Sequence, residues 1–298
     1  TIMVPVAGQE KRKDQIESII NDIATKDGID VFAFHTGLDY NGASLGSNSF
    51  LPLKKPSIAM IVGDGISPTE AGEVWHMLDN RFGIPVTLLP VNVLDKASLN
   101  RYSTIILPHT VGTFTVSEGV REKLKNWTQN GGVLIGLKNA INWFNSSGLG
   151  RFENKKDEEK SDAVKPRAYA DIEEFNGAQK TTGAILLAQA DLTHPLFYGY
   201  YDNQVPIFSS NNFFMEKAKG PYSNPLVFTD APLLSGYVSK ENYVKARASS
   251  VAGVSVIGQG RVIGFTENLC FRGFWLGTSK IITNAIFYGS LVNAASAR

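Results

Sequence analysis

Residues 57–83 read SIAMIVGDGISPTEAGEVWHMLDNRFG, and this stretch decides the fold. It opens on a continuous apolar run from Ser57 to Gly63, suited to a strand buried on both faces. Gly65 turns the chain. Ser67 is placed as a helix N-cap and Pro68 as the first helical residue, while Glu70 completes a Ser-x-x-Glu capping box. Ala71, Val74, Trp75, Leu78 and Phe82 then recur at the spacing of one helix face, and Gly83 ends the helix.

The alternation continues downstream. Residues 86–91 read as the next strand, and 104–107 as another short buried one. Ser117 caps a helix that turns Val120, Leu124 and Trp127 inward, and Gly131-Gly132 leads into a strand at 133–135. More β-rich segments follow at 183–190, 225–229 and 251–257. Gly258-Gln259-Gly260-Arg261 then makes a tight turn into a strand at 262–266. Residues 279–292 read as a helix with Ile281, Ile282, Ala285, Ile286 and Val292 toward the core. Strands alternating with helices predict an α/β protein with a doubly wound, mostly parallel, flavodoxin-like sheet and a β-rich insertion.

Upstream, residues 1–55 predict a small βαβ segment and linker. Residues 2–6 and 31–35 are the expected strands. Between them Ile16, Ile19, Ile20 and Ile23 line one helix face, and Gly28 is the stop. The main domain is expected over 56–298. Within it, residues 151–167 hold Glu153, Lys155, Lys156, Asp157, Glu158, Glu159 and Lys160 with few apolar neighbours, which predicts a mobile charged insertion.

The 298 residues are 43% hydrophobic and 19% charged, with a formal net charge of +1, the balance of an ordinary globular chain. A near-neutral chain has no long-range field to gather nucleic acid or an anionic membrane. No apolar run reaches the length of a membrane span. The sequence starts at Thr1 without a visible signal peptide, and is read as a processed or excised fragment. Cys270 is the only cysteine, so an internal disulfide is excluded.

The search for chemistry excludes more than it finds. His35, His76, His109 and His194 neither pair at helical spacing nor carry a His-x-x-Glu pattern, so no zinc site or cofactor is expected in this chain. There is no Gly-x-Ser-x-Gly elbow. After the strand at 133–135, where amidotransferases carry a Gly-x-Cys-x-Gly nucleophile, the chain reads Gly136-Leu137-Lys138-Asn139-Ala140. Lys138 stands in the cysteine's place, and an ammonium does not replace a thiolate in acyl transfer. His194-Pro195-Leu196 resembles the His-Pro-Glu of amidotransferases with leucine where the orienting acid belongs. Gly63-Asp64-Gly65 lacks the third glycine of a dinucleotide cradle.

One constellation survives. Asp64, His109 and Lys138 each stand just past a predicted strand, and Glu267 and Arg272 follow the late strand at 262–266. In a doubly wound sheet such positions converge on a crevice that suits a small polar ligand or a peptide end. Two alternatives stay open. One is a hydrolase or amidotransferase with a displaced nucleophile, Cys270 with His109 or His194. The other is a carbohydrate- or peptide-binding module using Tyr198, Tyr200, Tyr201, Phe213 and Phe214.

Several stretches together carry a family likeness. They are residues 55–60, Gly63-Asp64-Gly65, residues 70–79, residues 81–86, Leu99-Asn100-Arg101-Tyr102, Ser235-Gly236-Tyr237, Gly258-x-Gly260-Arg261-Val262, and Asn268-x-x-Phe271-Arg272-Gly273-Phe274-Trp275-x-Gly277-Thr278. From about Lys54 to Gly289 the chain resembles the C-terminal region of a group of bacterial zinc carboxypeptidases. The resemblance implies a class I glutamine amidotransferase-like domain following a secreted metallopeptidase. It implies a secreted, periplasmic or cell-surface location, and as partner the upstream peptidase domain, which holds the zinc; a homodimer stays open. The peptidase's zinc ligands and the amidotransferase triad match no position here, so the expected function is a non-catalytic accessory domain.

Overall fold

Ile58-Ala59-Met60-Ile61 has no polar face to offer water, so the strand it forms is paired along both edges and covered on both sides. The computed structural model describes residues 2–38, 40, 42–156 and 168–293. In it the chain divides into two compact units, Thr1–Pro52 and Leu53–Arg298.

The first unit contains α1 (Lys13–Asp27), closed by Gly28 at φ 63°. No residue of α1 is buried. The strands expected at 2–6 and 31–35 are absent among the described residues; both stretches are irregular and largely exposed. A strand gains its stability from a neighbour's backbone and a buried face, and these two segments have neither.

The second unit is built on one sheet. β1 (Ile58–Val62) pairs in parallel with β2 (Val86–Pro90) and β3 (Thr104–Leu107), and β3 pairs in parallel with β4 (Val133–Leu137). The chain then lays down β5 (Ala184–Ala190), β6 (Gln204–Ser209), β7 (Leu226–Gly236) and β8 (Ser250–Ile257), all joined antiparallel. It returns as β9 (Gly260–Phe265), antiparallel to β8 and parallel to β4. The order is β2-β1-β3-β4-β9-β8-β7-β5-β6. The β-rich insertion is thus an antiparallel extension, and β9 is the seam between the two halves.

Helices cover the sheet. α2 (Pro68–Trp75) starts as expected, with Ser67 Oγ accepting from the Glu70 N–H at 3.4 Å. It does not continue as an α-helix. Residues His76–Arg81 form a π-helical segment, with Phe82 N–H bonding back to Met77 O. The extra residue per turn rotates the apolar face. Ala71, Val74, Met77 and Leu78 are buried, whereas Trp75 and Phe82, expected inside, are 38% and 44% exposed.

α3 (Glu118–Gln129) is capped by Ser117 and buries Val120, Leu124 and Trp127. α4 (Ala140–Ser146), α5 (Ile172–Ala178) and α6 (Lys240–Ala246) follow, and α7 (Ser279–Tyr288) buries Ile281, Ile282, Ala285 and Ile286. Of the charged insertion expected at 151–167, residues 157–167 lie outside the described residues. No helix among the described residues is long and apolar enough to cross a membrane.

Two glycines fix how closely the layers approach. A Cβ on Gly136 would lie 2.3 Å from Phe144 of α4, and one on Gly260 would lie 1.8 Å from the Thr128 carbonyl oxygen. At Gly260 the obstacle is backbone at the end of α3 and cannot swing aside. Gly260→Ala is therefore expected to destabilise the chain by about 3 kcal/mol or more. A urea titration checks this, with Gly72→Ala, where a Cβ meets nothing within 4 Å, as the control.

Candidate functional site

Lys138 follows β4 at the turn into α4 and holds φ at 52°, in the left-handed region. For a residue with a Cβ this costs on the order of 1 kcal/mol. The backbone is pinned there. Lys138 N–H donates to Phe265 O of β9 at 2.7 Å, and Lys138 O accepts from Ile141 N–H at 3.1 Å. The turn therefore holds a left-handed residue just past β4 and presents an amine there.

That amine does not face solvent. Lys138 Nζ donates to Glu70 Oε1 at 2.7 Å and to Ser210 Oγ at 3.3 Å. The two charged side chains are 8% and 14% exposed. A pair this buried holds together because either charge alone would be left uncompensated in a poorly solvated place. Glu70 was legible only as the last residue of a Ser-x-x-Glu capping box. In the structure its N–H completes the cap, but its carboxylate turns to Lys138. Its second oxygen, Oε2, is buried with no hydrogen-bond partner.

Glu267, two residues past β9, is fully buried. Ser209 Oγ lies 2.6 Å from its Oε1, and Asn211 Nδ2 donates to Oε2 at 2.6 Å. Burial pushes its pKa up to about 8, against the opposing pull of the Ser209 hydroxyl and the Lys138 charge. Below that value Glu267 is a neutral acid, so the charged Lys138–Glu70 pair sits beside an uncharged carboxyl.

His109 follows β3 and is half-buried. Burial lowers its pKa, opposed by the Glu70 carboxylate and reinforced by Lys138, and the ring is neutral at pH 7. Its Nδ1 is buried and unpartnered. Glu73, one turn beyond Glu70 on α2, accepts from Asn268 and from the Arg272 backbone N–H; burial raises its pKa above the usual carboxylate range.

Of the five residues singled out in the sequence, the structure couples Lys138, His109 and Glu267 through Glu70. Asp64 is exposed in the β1–α2 turn. Arg272 is also exposed, with φ at 49°, and its guanidinium lies over the Phe271 ring at 5.3 Å. Only its backbone reaches the cluster. Sequence reasoning missed Glu70, Glu73, Ser209, Ser210 and Asn211. The serines and asparagine stand where β6 ends, and that strand, with polar side chains only at its two ends, carries no alternating polar pattern.

The thiol alternative meets a physical obstacle. Cys270 is 2% exposed, its sulfur faces Met77 Sδ at 3.4 Å, and burial pushes its pKa up, with Glu73 and Glu70 adding to the effect. Such a thiol stays protonated. His194 is occupied elsewhere: its Nδ1 accepts from Leu196 N–H at 3.2 Å, capping a short 3₁₀ turn, and burial lowers its pKa to about 4.

The aromatic set proposed for sugar stacking is dispersed. Phe213 and Phe214 are buried, and Tyr200 packs on Phe197 with its hydroxyl on Gly277 O at 2.7 Å. Only Tyr198 and Tyr201 are exposed, at 43% and 98%. Among the described residues no three His, Cys, Asp or Glu side chains are grouped to hold a metal ion.

No protein-family model matches this sequence, and no curated protein matches it. Solved structures do resemble it. A ThuA-like protein of Parabacteroides merdae superposes on 79% of this chain and 90% of its own, at 12% identity and a TM-score of 0.53. A ThuA-like protein of Bacteroides uniformis covers 76% and 88% at 12% identity, with a TM-score of 0.47. A GMP synthase component from Thermoplasma acidophilum covers 80% and 94% at 8% identity, with a TM-score of 0.45. At such identities the likeness is one of fold. The chain has the glutamine amidotransferase-like α/β fold that ThuA-like proteins share.

Glu267 sets a pH dependence. Its folded-state pKa of about 8 lies above the ordinary 4.5. The folded chain therefore keeps a proton that the unfolded chain has released across this range. Stability contributed by the neutral acid is fully present below about pH 4.5 and is lost as pH rises toward about 8, by on the order of 1 kcal/mol per pH unit. Glu267→Gln should remove this slope relative to wild type in urea titrations at successive pH values.

Proposed function

We propose that this chain is a non-catalytic accessory domain of a longer polypeptide, and that the parent is a secreted bacterial zinc carboxypeptidase with its peptidase active site upstream. In this reading the domain positions, stabilises or dimerises the peptidase, or helps hold its peptide substrate. Zinc belongs to the peptidase domain, and the secreted, periplasmic or cell-surface location is that of the parent.

The observation that carries the reading is the occupant of the elbow. Lys138 stands where a nucleophile would, and its ammonium is bound to Glu70 at 2.7 Å. An ion-paired ammonium does not attack an acyl carbon. Cys270, the chain's one thiol, is buried against Met77. The parent rests on the resemblance carried by the stretches from Lys54 onward. The strand-end cluster of Lys138, His109 and Glu267, with Asp64 and Arg272 at the same ends of the sheet, is where a small polar ligand or a peptide end would bind.

The test has two arms. The chain alone should release no ammonia from glutamine, cleave no peptide and bind no stoichiometric zinc. A parent polypeptide lacking this domain should keep its zinc while losing thermal stability, or peptide affinity by about tenfold. A glutaminase or peptidase rate from the chain alone, or a natural coding sequence with no peptidase upstream, overturns the reading.

A further inference from the structure

The residues around Glu267 come from both halves of the sheet. Glu267 and Asn268 follow β9, Lys138 follows β4, His109 follows β3, and Glu70 and Glu73 project from α2. Facing them are Ser209, Ser210 and Asn211, where β6 ends. Ser209 closes β6 opposite Ala184 of β5, and the residues beyond it are tied down by polar side chains. Ser209 Oγ meets Glu267 Oε1 at 2.6 Å, and Ser210 Oγ meets Lys138 Nζ at 3.3 Å. Asn211 Nδ2 donates to both Glu267 Oε2 at 2.6 Å and Thr266 O at 2.9 Å. Asn212 accepts from Thr181 N–H at 3.0 Å and donates to Gln179 O at 2.8 Å. Ser210 is held between the ion pair and the buried acid.

Charge balance decides the state of this arrangement. With Glu267 neutral, the buried charges are Lys138 and Glu70, which cancel. The proton also fits the geometry. A hydroxyl accepts as well as it donates, so Glu267 Oε1–H can bond Ser209 Oγ while Asn211 still donates to Oε2. Removing the proton leaves two buried carboxylates sharing one ammonium, with His109 neutral and Glu73 adding to the negative side. Water must then reach Glu267. Ser210 and Asn211 are half-exposed and Asn212 is exposed, so the segment at 209–212 stands between the fully buried carboxyl and solvent.

We propose that the proton held by Glu267 is a latch: it keeps residues 209–212 seated over Lys138, and its loss in alkaline solution releases that segment and uncovers the Lys138–Glu70 pair. The raised affinity of Glu267 for its proton, caused by burial, places the release near the upper end of the physiological range. The device is a conformational one, built from a two-state polar segment rather than from movement of the sheet.

Amide hydrogen exchange on the full chain tests it. Rates are corrected for intrinsic pH dependence and compared at about pH 6 and about pH 9. Peptides covering 209–214 should exchange about tenfold faster in the alkaline sample, while those covering β1, β3 and β4 are unchanged. In Glu267→Gln, which keeps a neutral side chain at every pH, the acceleration should vanish. Equal protection of 209–214 at both pH values, acceleration spread over the whole sheet, or an acceleration that persists in Glu267→Gln overturns the proposal. Should that variant fail to fold, the infrared band of a protonated carboxyl in the wild-type chain decides instead. The band should persist at about pH 7 and fade in step with the exchange, and its absence at about pH 6 would sink the latch.

Discussion

The ion pair between Lys138 and Glu70 is the constraint on which the strand-end region depends. It ties the first turn of α2 to the turn between β4 and α4, and so joins the ends of β1 and β4 across the intervening β3. The backbone supplies half of the restraint, because Lys138 is already bonded to Phe265 at the end of β9. The side chain supplies the other half. A left-handed residue and a buried charge are both costly in isolation. Each is held in place here by the groups that satisfy the other.

Once the pair is fixed, the surrounding chemistry follows from electrostatics. Half-buried His109 has its pKa lowered by burial, with the Glu70 carboxylate opposing and the Lys138 ammonium adding to the effect. Glu267, out of water and facing a cation already claimed by Glu70, holds its proton. Cys270, close to Glu70 and Glu73 and deep in the core, stays a thiol. The same fold with a cysteine at the elbow would present a nucleophile. With lysine and its partner acid it presents a closed, charge-paired surface, and this is the physical content of the accessory-domain reading.

The parallel half of the sheet was legible because β1, β3 and β4 are buried on both faces and its helices carry explicit caps, while β2 is an edge strand with one buried residue. Ile58-Ala59-Met60-Ile61 and Ser67-Pro68 leave few other options. The first unit was less legible: residues 2–6 and 31–35 have strand composition, but composition does not provide a partner edge. The π-helical turn at His76–Arg81 changed which of Met77 and Phe82 faces inward, since a single extra residue per turn is invisible to a 3.6-residue period. At the site, the residues past the strands were readable from topology. Glu70 was hidden because its position satisfies a local rule, the helix cap, whose side-chain half it does not perform. Ser209, Ser210 and Asn211 were hidden because only the antiparallel extension brings the end of β6 to the end of β9.

A double-mutant cycle on Lys138 and Glu70 tests the central claim most directly. Lys138→Met, Glu70→Gln and the combined variant are unfolded in urea at neutral pH, and the coupling energy is read from the four stabilities. A locked, buried pair predicts that each single change costs about 3 kcal/mol and that the double variant recovers much of the loss. A coupling energy near zero would mean that the elbow lysine is free to act, and would contradict the account.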